Sequence, residues 1–265
     1  MSQHYNPDQF SVEVRAEMAR KLIKKHDVAM VTLHWFNALV WFFELMTGMA
    51  LIASTRYTYI PSWFTDIIVG LFNGRTNLLY FHITIGVFWS GILVVYGIFG
   101  IRTYLTKFYV NDLRMDGDDF KWMVLKPLQI LGYRIRLPEQ GVYNAGQKVF
   151  AWVISICILL IIPTGFIMSF HLGPLWLIQW SIPLHYASVM MVVAGLIVHV
   201  YMAGLMPEER PAFFSMLHGK VNELYAYENH TKWWRQRRKD EERFLEELSQ
   251  SEGWGPLPRG KPRKR

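Results

Sequence analysis

His34, His82, His185 and His199 each lie inside or at the end of a long apolar stretch of this 265-residue chain. Imidazole is costly to hide in lipid, so a histidine within a membrane segment marks a functional site by default. Two such rings from different helices can grip one metal ion from opposite sides. Four of them at two matched depths fit the axial positions of two stacked haems. Iron held by two imidazoles is six-coordinate and has no open position for oxygen, which leaves electron transfer as its chemistry.

The helices that must carry these rings follow from the apolar runs. Four segments, near 32–54, 79–103, 148–170 and 184–206, approach or exceed the roughly 20 residues needed to cross a hydrocarbon core. The chain is 52% hydrophobic, and its eleven Trp and thirteen Tyr suit anchoring at both membrane interfaces. The fold class is therefore all-α: a four-transmembrane-helix bundle holding two b-type haems. It is flanked by an N-terminal segment, 1–31, and a tail, 207–265. Residues 1–28 are polar and charged, so no cleavable signal peptide is expected.

Charge sets the expected orientation. Of 28 Lys and Arg, five precede the first span, eight lie in 102–148 and thirteen follow residue 204. The segment 55–78 carries only Arg56 and Arg75, and 171–183 carries none. By the positive-inside rule both termini and the middle loop face the cytoplasm. The formal charge of +7 is thus assigned to topology and attraction to lipid rather than to nucleic acid. The single cysteine, Cys157, excludes a disulfide framework, a C-x-x-C-H attachment site and four-cysteine cluster ligation.

On this topology His34 and His199 share the inner leaflet, and His82 and His185 the outer one. His185 and His199 are fourteen residues apart, about 40° short of four full turns, so both rings share one helix face, about 21 Å apart along the axis. Gly86 is four after His82, Gly195 four before His199 and Gly48 fourteen after His34. Glycine lets a flat macrocycle approach backbone, although ordinary helix packing uses it equally. A tetrahedral zinc site wants four ligands in one place, which two separated pairs do not supply.

Other features are read more plainly. Glu44, about 15 Å above His34 by helical rise, is expected to face the bundle, be protonated, or both, with a proton-path role secondary to a structural one. Pro61, Trp63 and Asn73-Gly74 read as an outer loop, and Asp116-Gly117-Asp118-Asp119 as a turn before an interfacial helix over 119–131. A short amphipathic helix is expected within 11–26 and a kink at Pro163. His171 falls in an outer loop, and His218 and His230 at a lipid or subunit surface. The charges from Lys232 to Glu247 read as a solvated helix face, and 251–265 as disordered.

The chain resembles the gamma, or cytochrome b, subunit of membrane-bound formate dehydrogenase, from His34 to about Trp234. The residues that carry this are His34-Trp35 with Gly48, His82-Ile83-Thr84-Ile85-Gly86, Tyr143-Asn144-Ala145-Gly146-Gln147-Lys148, His199-Val200-Tyr201-Met202-Ala203, Gly219-Lys220-Val221, and His230 to Trp233. The resemblance implies two haems b, the outer on His82 and His185 and the inner on His34 and His199. It implies a site for menaquinone or another quinone near Asn144, Gly146, Gln147 and His199. It also implies an iron–sulfur subunit and a large molybdenum or tungsten catalytic subunit on the outer face, assembly as a trimer of complexes, and the inner membrane of a bacterium or archaeon. Where an arginine is expected three residues before the first two haem histidines, Val31 and Leu79 stand; Lys24, Lys25 and Arg75 are the nearest cations. A nickel–iron hydrogenase or sulfur-compound oxidoreductase is the alternative partner, and a haem-free anchor or transporter the alternative class.

Overall fold

The computed structural model describes residues 10–53 and 60–251. Arg56, the start of the N-terminal lead and the basic finish from residue 252 lie outside them. In chain order the elements are α1 (Val12–Arg20), β1 (Leu22–Lys24), α2 (Val28–Ile52), α3 (Ser62–Leu71), α4 (Arg75–Gly100), α5 (Gly117–Ile130), α6 (Ala145–Phe170), α7 (Leu175–Val200), α8 (Arg210–His218), β2 (Lys220–Asn222), α9 (Glu223–Asn229) and α10 (Thr231–Ser251). Wide π-helical turns continue α4 through Ile101–Leu105 and Lys107–Asp112, and α7 through Tyr201–Leu205. β1 pairs with β2 in a two-stranded sheet.

Four helices are long and apolar enough to cross a membrane: Val28–Ile52, Arg75–Leu105, Ala145–Phe170 and Leu175–Leu205. The first three lie within a few residues of the expected spans. The fourth begins nine residues early, because Pro174 stands at its N-cap and Pro183 is accommodated inside the helix. His185 is therefore ten residues into its helix, not at its outer start. The expected outer loop at 61–74 is also largely helical, as α3, and the chain reverses only at Asn73 and Gly74. Both take positive φ, 53° and 120°, a conformation that Asn tolerates and Gly adopts freely.

The described residues divide into two compact units. The larger, Lys24–Arg114 with Gly146–Lys220, is the helix bundle. Asp27 caps α2 by accepting from the Met30 amide at 2.9 Å. At its other end the Arg75 guanidinium donates to the carbonyls of Leu51 and Ala53, satisfying acceptors that a helix terminus leaves open. The same bonds show α4 starting where α2 finishes, so the two run antiparallel. Between helices the core is thin: Cys157, Ile161 and Val192 are buried against Trp41, Val153, Ile154, Val189 and Leu196. Large side chains such as Phe99 and Leu159 face outward. Lipid is as apolar as leucine, so such a bundle is held by close packing and interhelical hydrogen bonds rather than by apolar burial. The bonds include Trp89 Nε1 to Asn37 Oδ1 at 2.7 Å and Tyr109 to Ser155 at 2.7 Å.

The smaller unit gathers α1, α5, α9 and α10 from three stretches of chain. Its centre is polar. The buried Glu223 carboxylate accepts from Trp234 Nε1 at 3.0 Å and pairs with Lys21 at 3.2 Å. His230, 1% exposed, donates from Nδ1 to the Gly141 carbonyl at 2.7 Å. This corrects the expected surface role of His230: its ring ties the segment before α6 to the start of α10. The residues Asp116 to Asp119 are not a free turn either. Asp116 is the N-cap of α5 in a full capping box with Asp119, the arrangement an acidic side chain offers to open helix amides.

Lys232 bridges Asp116 and Asp118, each at 2.7 Å. Partial burial pushes the Asp116 carboxyl up, but the Lys232 ammonium and the Asp119 and Asp118 amides together hold it below its ordinary value of 3.8. Its contribution to stability is present above pH 3.8 and is lost as the pH falls through the lowered value. Asp116→Ala is expected to cost about 1 kcal/mol of helix stability through the lost cap. Asp116→Asn should keep most of the cap while removing the acid dependence. Hydrogen exchange at the Asp118 and Asp119 amides between pH 3 and 7 reads both effects.

Candidate functional site

The four histidines project from α2, α4 and α7 of the bundle unit, and two of them meet directly. At one end His34 and His199 face each other with ring centroids 6.3 Å apart and planes at 59°. Two imidazoles binding one metal ion from opposite sides at about 2.0 Å hold their centroids roughly 6 Å apart. The Nδ1 atom of His34 is buried without a hydrogen-bond partner, and Trp35 stands edge-on to that ring. The His199 ring stacks on Phe150 at 5.0 Å and 9°.

At the other end His82 and His185 lie within electrostatic reach of each other, and each is cradled by the preceding span, α2 for His82 and α6 for His185. His82 Nδ1 meets Thr47 Oγ1 at 2.9 Å and Glu44 Oε2 at 2.8 Å. His185 Nδ1 meets Thr164 Oγ1 at 3.1 Å and the Ile161 carbonyl at 3.1 Å. Both threonine hydroxyls donate to their own helix, Thr47 to the Phe43 carbonyl and Thr164 to the Leu160 carbonyl. The ring Nδ1–H is therefore the donor in each case. A bonded Nδ1–H fixes the tautomer and leaves Nε2 as the ligating nitrogen.

Glycines make the room. A Cβ on Gly48 would stand 3.3 Å from His82, one on Gly165 3.4 Å from His185, and one on Gly86 3.6 Å from Glu44 Oε1. On Gly195 it would meet the Phe150 ring, the one that stacks on His199, at 2.8 Å. Gly195→Ala is thus expected to displace Phe150 from its stack on His199 and to cost about 1–3 kcal/mol, while Gly70→Ala, which has nothing within 4 Å, costs little. Thermal unfolding of the two variants in detergent makes the comparison. The donor set and these cradles fit a flat metal-bearing macrocycle at each pair. No group of three or more His, Cys, Asp or Glu able to hold a metal ion occurs among the described residues, so a multi-ligand zinc-type centre is not found there.

The expected quinone residues are distributed. Gly146, Gln147 and His199 belong to the bundle unit, with Gly146 and Gln147 in the first turn of α6. Asn144 immediately precedes that helix and belongs to the smaller unit. Of the candidate cations, Arg75 is occupied at the end of α2. Lys25 is half-buried in the bundle unit, where desolvation lowers its ammonium to about 8 against the raising effect of Glu209.

Sequence reasoning missed Thr47, Thr164, Gly165 and Phe150, and it found Glu44 without its partner. A signal was present. The first and third spans both carry Thr-Gly, at Thr47-Gly48 and Thr164-Gly165, and each pair holds the histidine of the following span. A fixed-period search cannot see this, because Thr47 to His82 is 35 residues and Thr164 to His185 is 21.

The prokaryotic cytochrome b561 family model matches residues 25–219 of this chain. That stretch contains all four histidines. Among curated relatives, the formate dehydrogenase cytochrome b556 subunit of Haemophilus influenzae is 26% identical over 226 residues, which cover 82% of this chain and 84% of that protein. The cytochrome b556(Fdn) subunit of the nitrate-inducible formate dehydrogenase of Escherichia coli is 25% identical over 157 residues, covering 56% and 71% respectively.

Proposed function

The chain belongs to the prokaryotic cytochrome b561 family, and from that premise we propose that it is the membrane cytochrome b subunit of a respiratory formate dehydrogenase-type complex. It carries electrons from an iron–sulfur subunit on the outer face to menaquinone on the cytoplasmic side. The observation that carries this reading is the facing of rings from separate helices, His34 with His199 at 6.3 Å; the matching Thr-Gly cradles that hold His82 and His185 support a second pair. The relatives' names, both formate dehydrogenase cytochrome subunits, support the choice of complex.

In this proposal His82 and His185 hold the outer b-type haem and His34 and His199 the inner one. The haems, when bound, supply one-electron oxidation and reduction at iron. The chain's own residues do the rest. Thr47, Thr164 and the Ile161 carbonyl fix the outer rings so that Nε2 faces inward. Along α7 the fourteen residues from His185 to His199 rise about 21 Å, enough to link the two leaflets. Gly146 and Gln147, in the first turn of α6, are the proposed quinone contacts in the bundle unit, beside a cytoplasm that provides protons. The concentration of Lys and Arg before the first span, in 102–148 and in the tail supports cytoplasmic termini. Catalysis on formate belongs to a partner subunit.

Gentle purification of the native complex tests the reading. Two haems b per chain, together with a large formate-oxidising subunit, are the expected result. A correctly inserted, haem-supplied preparation that is colourless, or one co-purifying with a hydrogenase, would refute it.

A further inference from the structure

The two cradles on either side of the proposed outer haem are built to one plan with one difference. In α2 the sequence is Glu44, then Thr47 and Gly48; in α6 it is Ile161, then Thr164 and Gly165. The spacing is identical, three residues and then one. Thr47 and Thr164 each accept from the Nδ1 of a histidine, at 2.9 and 3.1 Å. Gly48 and Gly165 each leave the space where a Cβ would press on that ring, at 3.3 and 3.4 Å. The third position departs. Ile161 offers its backbone carbonyl to His185 Nδ1 at 3.1 Å, whereas Glu44 offers a side-chain carboxyl to His82 Nδ1 at 2.8 Å. The other oxygen, Glu44 Oε1, is buried without a hydrogen-bond partner and lies against Gly86.

A carboxyl group deep within an apolar span is expensive. Ile161 shows that the cradle is complete without one. The carboxyl therefore serves the ring it touches. A carboxylate acceptor makes a hydrogen bond roughly twice as strong as a neutral one, and it raises the basicity of the imidazole nitrogen on the far side of the ring. A more basic ligand favours the oxidised, more positive state of the iron. Ligand hydrogen bonding is one of the levers by which a protein sets such a potential.

We propose that Glu44 is a positioning residue that orients His82 and lowers the midpoint potential of the haem held there, making the two haems electrically unequal. This inference rests on the dihaem reading above. Its consequence is a stronger reductant at the His82 end, so that passing an electron onward to the His34–His199 end is favoured.

The test is a redox titration of the purified complex, read by difference spectra, for the wild type, Glu44→Gln and Glu44→Ile. Gln keeps the shape and an acceptor but removes the charge, and Ile reproduces the residue of the other cradle. In both, one midpoint is expected to rise by the equivalent of at least a tenfold change in the oxidised-to-reduced ratio, about 59 mV for one electron. The second midpoint stays where it was. The low-spin resonance signal of the shifted centre should change with it. Two unchanged midpoints, or two that move together, overturn the proposal while leaving the cytochrome intact. Should Glu44→Gln retain a single haem, Glu44→Asp decides: return of the second haem at or near the wild-type midpoint supports a carboxylate requirement, and continued loss overturns it. Failure of the underlying reading looks different, because then the wild type carries no pair of haems at all.

Discussion

Replacing His199 with alanine is expected to reduce the haem content from two per chain to one and to abolish quinone reduction in the same protein. His199 faces His34 at 6.3 Å and stacks on Phe150, so its removal takes one of two proposed ligands and frees the aromatic wall behind it. Outer groups around a metal ligand already cost 10–100-fold when altered; loss of the ligand itself should lower formate-driven quinone reduction by more than about 100-fold. His34→Ala should lose the same haem. The proposed outer haem should still be reduced by formate in both variants, because His82 and His185 are held by bonds to Thr47 and Thr164 that do not involve His199. Retention of both haems with unchanged quinone reduction in His199→Ala would remove the site assignment.

His82→Ala and His185→Ala should each lose the outer haem, yet differ in stability. In the first, the Glu44 carboxyl is left facing a cavity with no ring to meet, both of its oxygens then lacking a partner. Removing one member of a fully buried pair costs about 3–5 kcal/mol, most of it from the group left behind, and this partly buried pair falls toward the lower end. In the second, only a backbone carbonyl and a hydroxyl that still donates within its own helix lose a donor, at a cost of about 1–3 kcal/mol. His82→Ala should therefore unfold at a lower temperature than His185→Ala. The double variant Glu44→Ile with His82→Ala should recover most of the difference. Equal unfolding temperatures for the two single variants would show that Glu44 is not paired with His82 in the folded protein.

The spans were legible because an apolar run of that length has one solution in lipid. That His34 and His199 lie at one level, where their rings face each other, was legible because the helical rise converts spacing into depth. What escaped depended on contacts between elements. Glu44 could be assigned to the bundle interior by cost alone, but its partner lies 38 positions away on a different helix. His230 was taken for a surface residue since it stands in a charged tail, whereas the Gly141 carbonyl draws it inside. The fourth span is expected from residue 184, whereas α7 starts at Leu175 with Pro174 at its N-cap and Pro183 inside the helix, a position that apolar runs alone do not mark. Phe150 has no signature beyond an aromatic ring in an apolar helix, and it became visible only when its ring lay parallel to His199.

The unit built from α1, α5, α9 and α10 draws on the beginning, middle and end of the described chain. Its central carboxylate, Glu223, pairs with Lys21 near the start and accepts from Trp234 near the finish. During synthesis from the N-terminus, α1 must therefore wait, exposed at the ribosome, until the translocon has threaded every span. A polypeptide truncated before α9 lacks Glu223 and leaves Lys21 without its acid, so this unit closes only once the last span has been made.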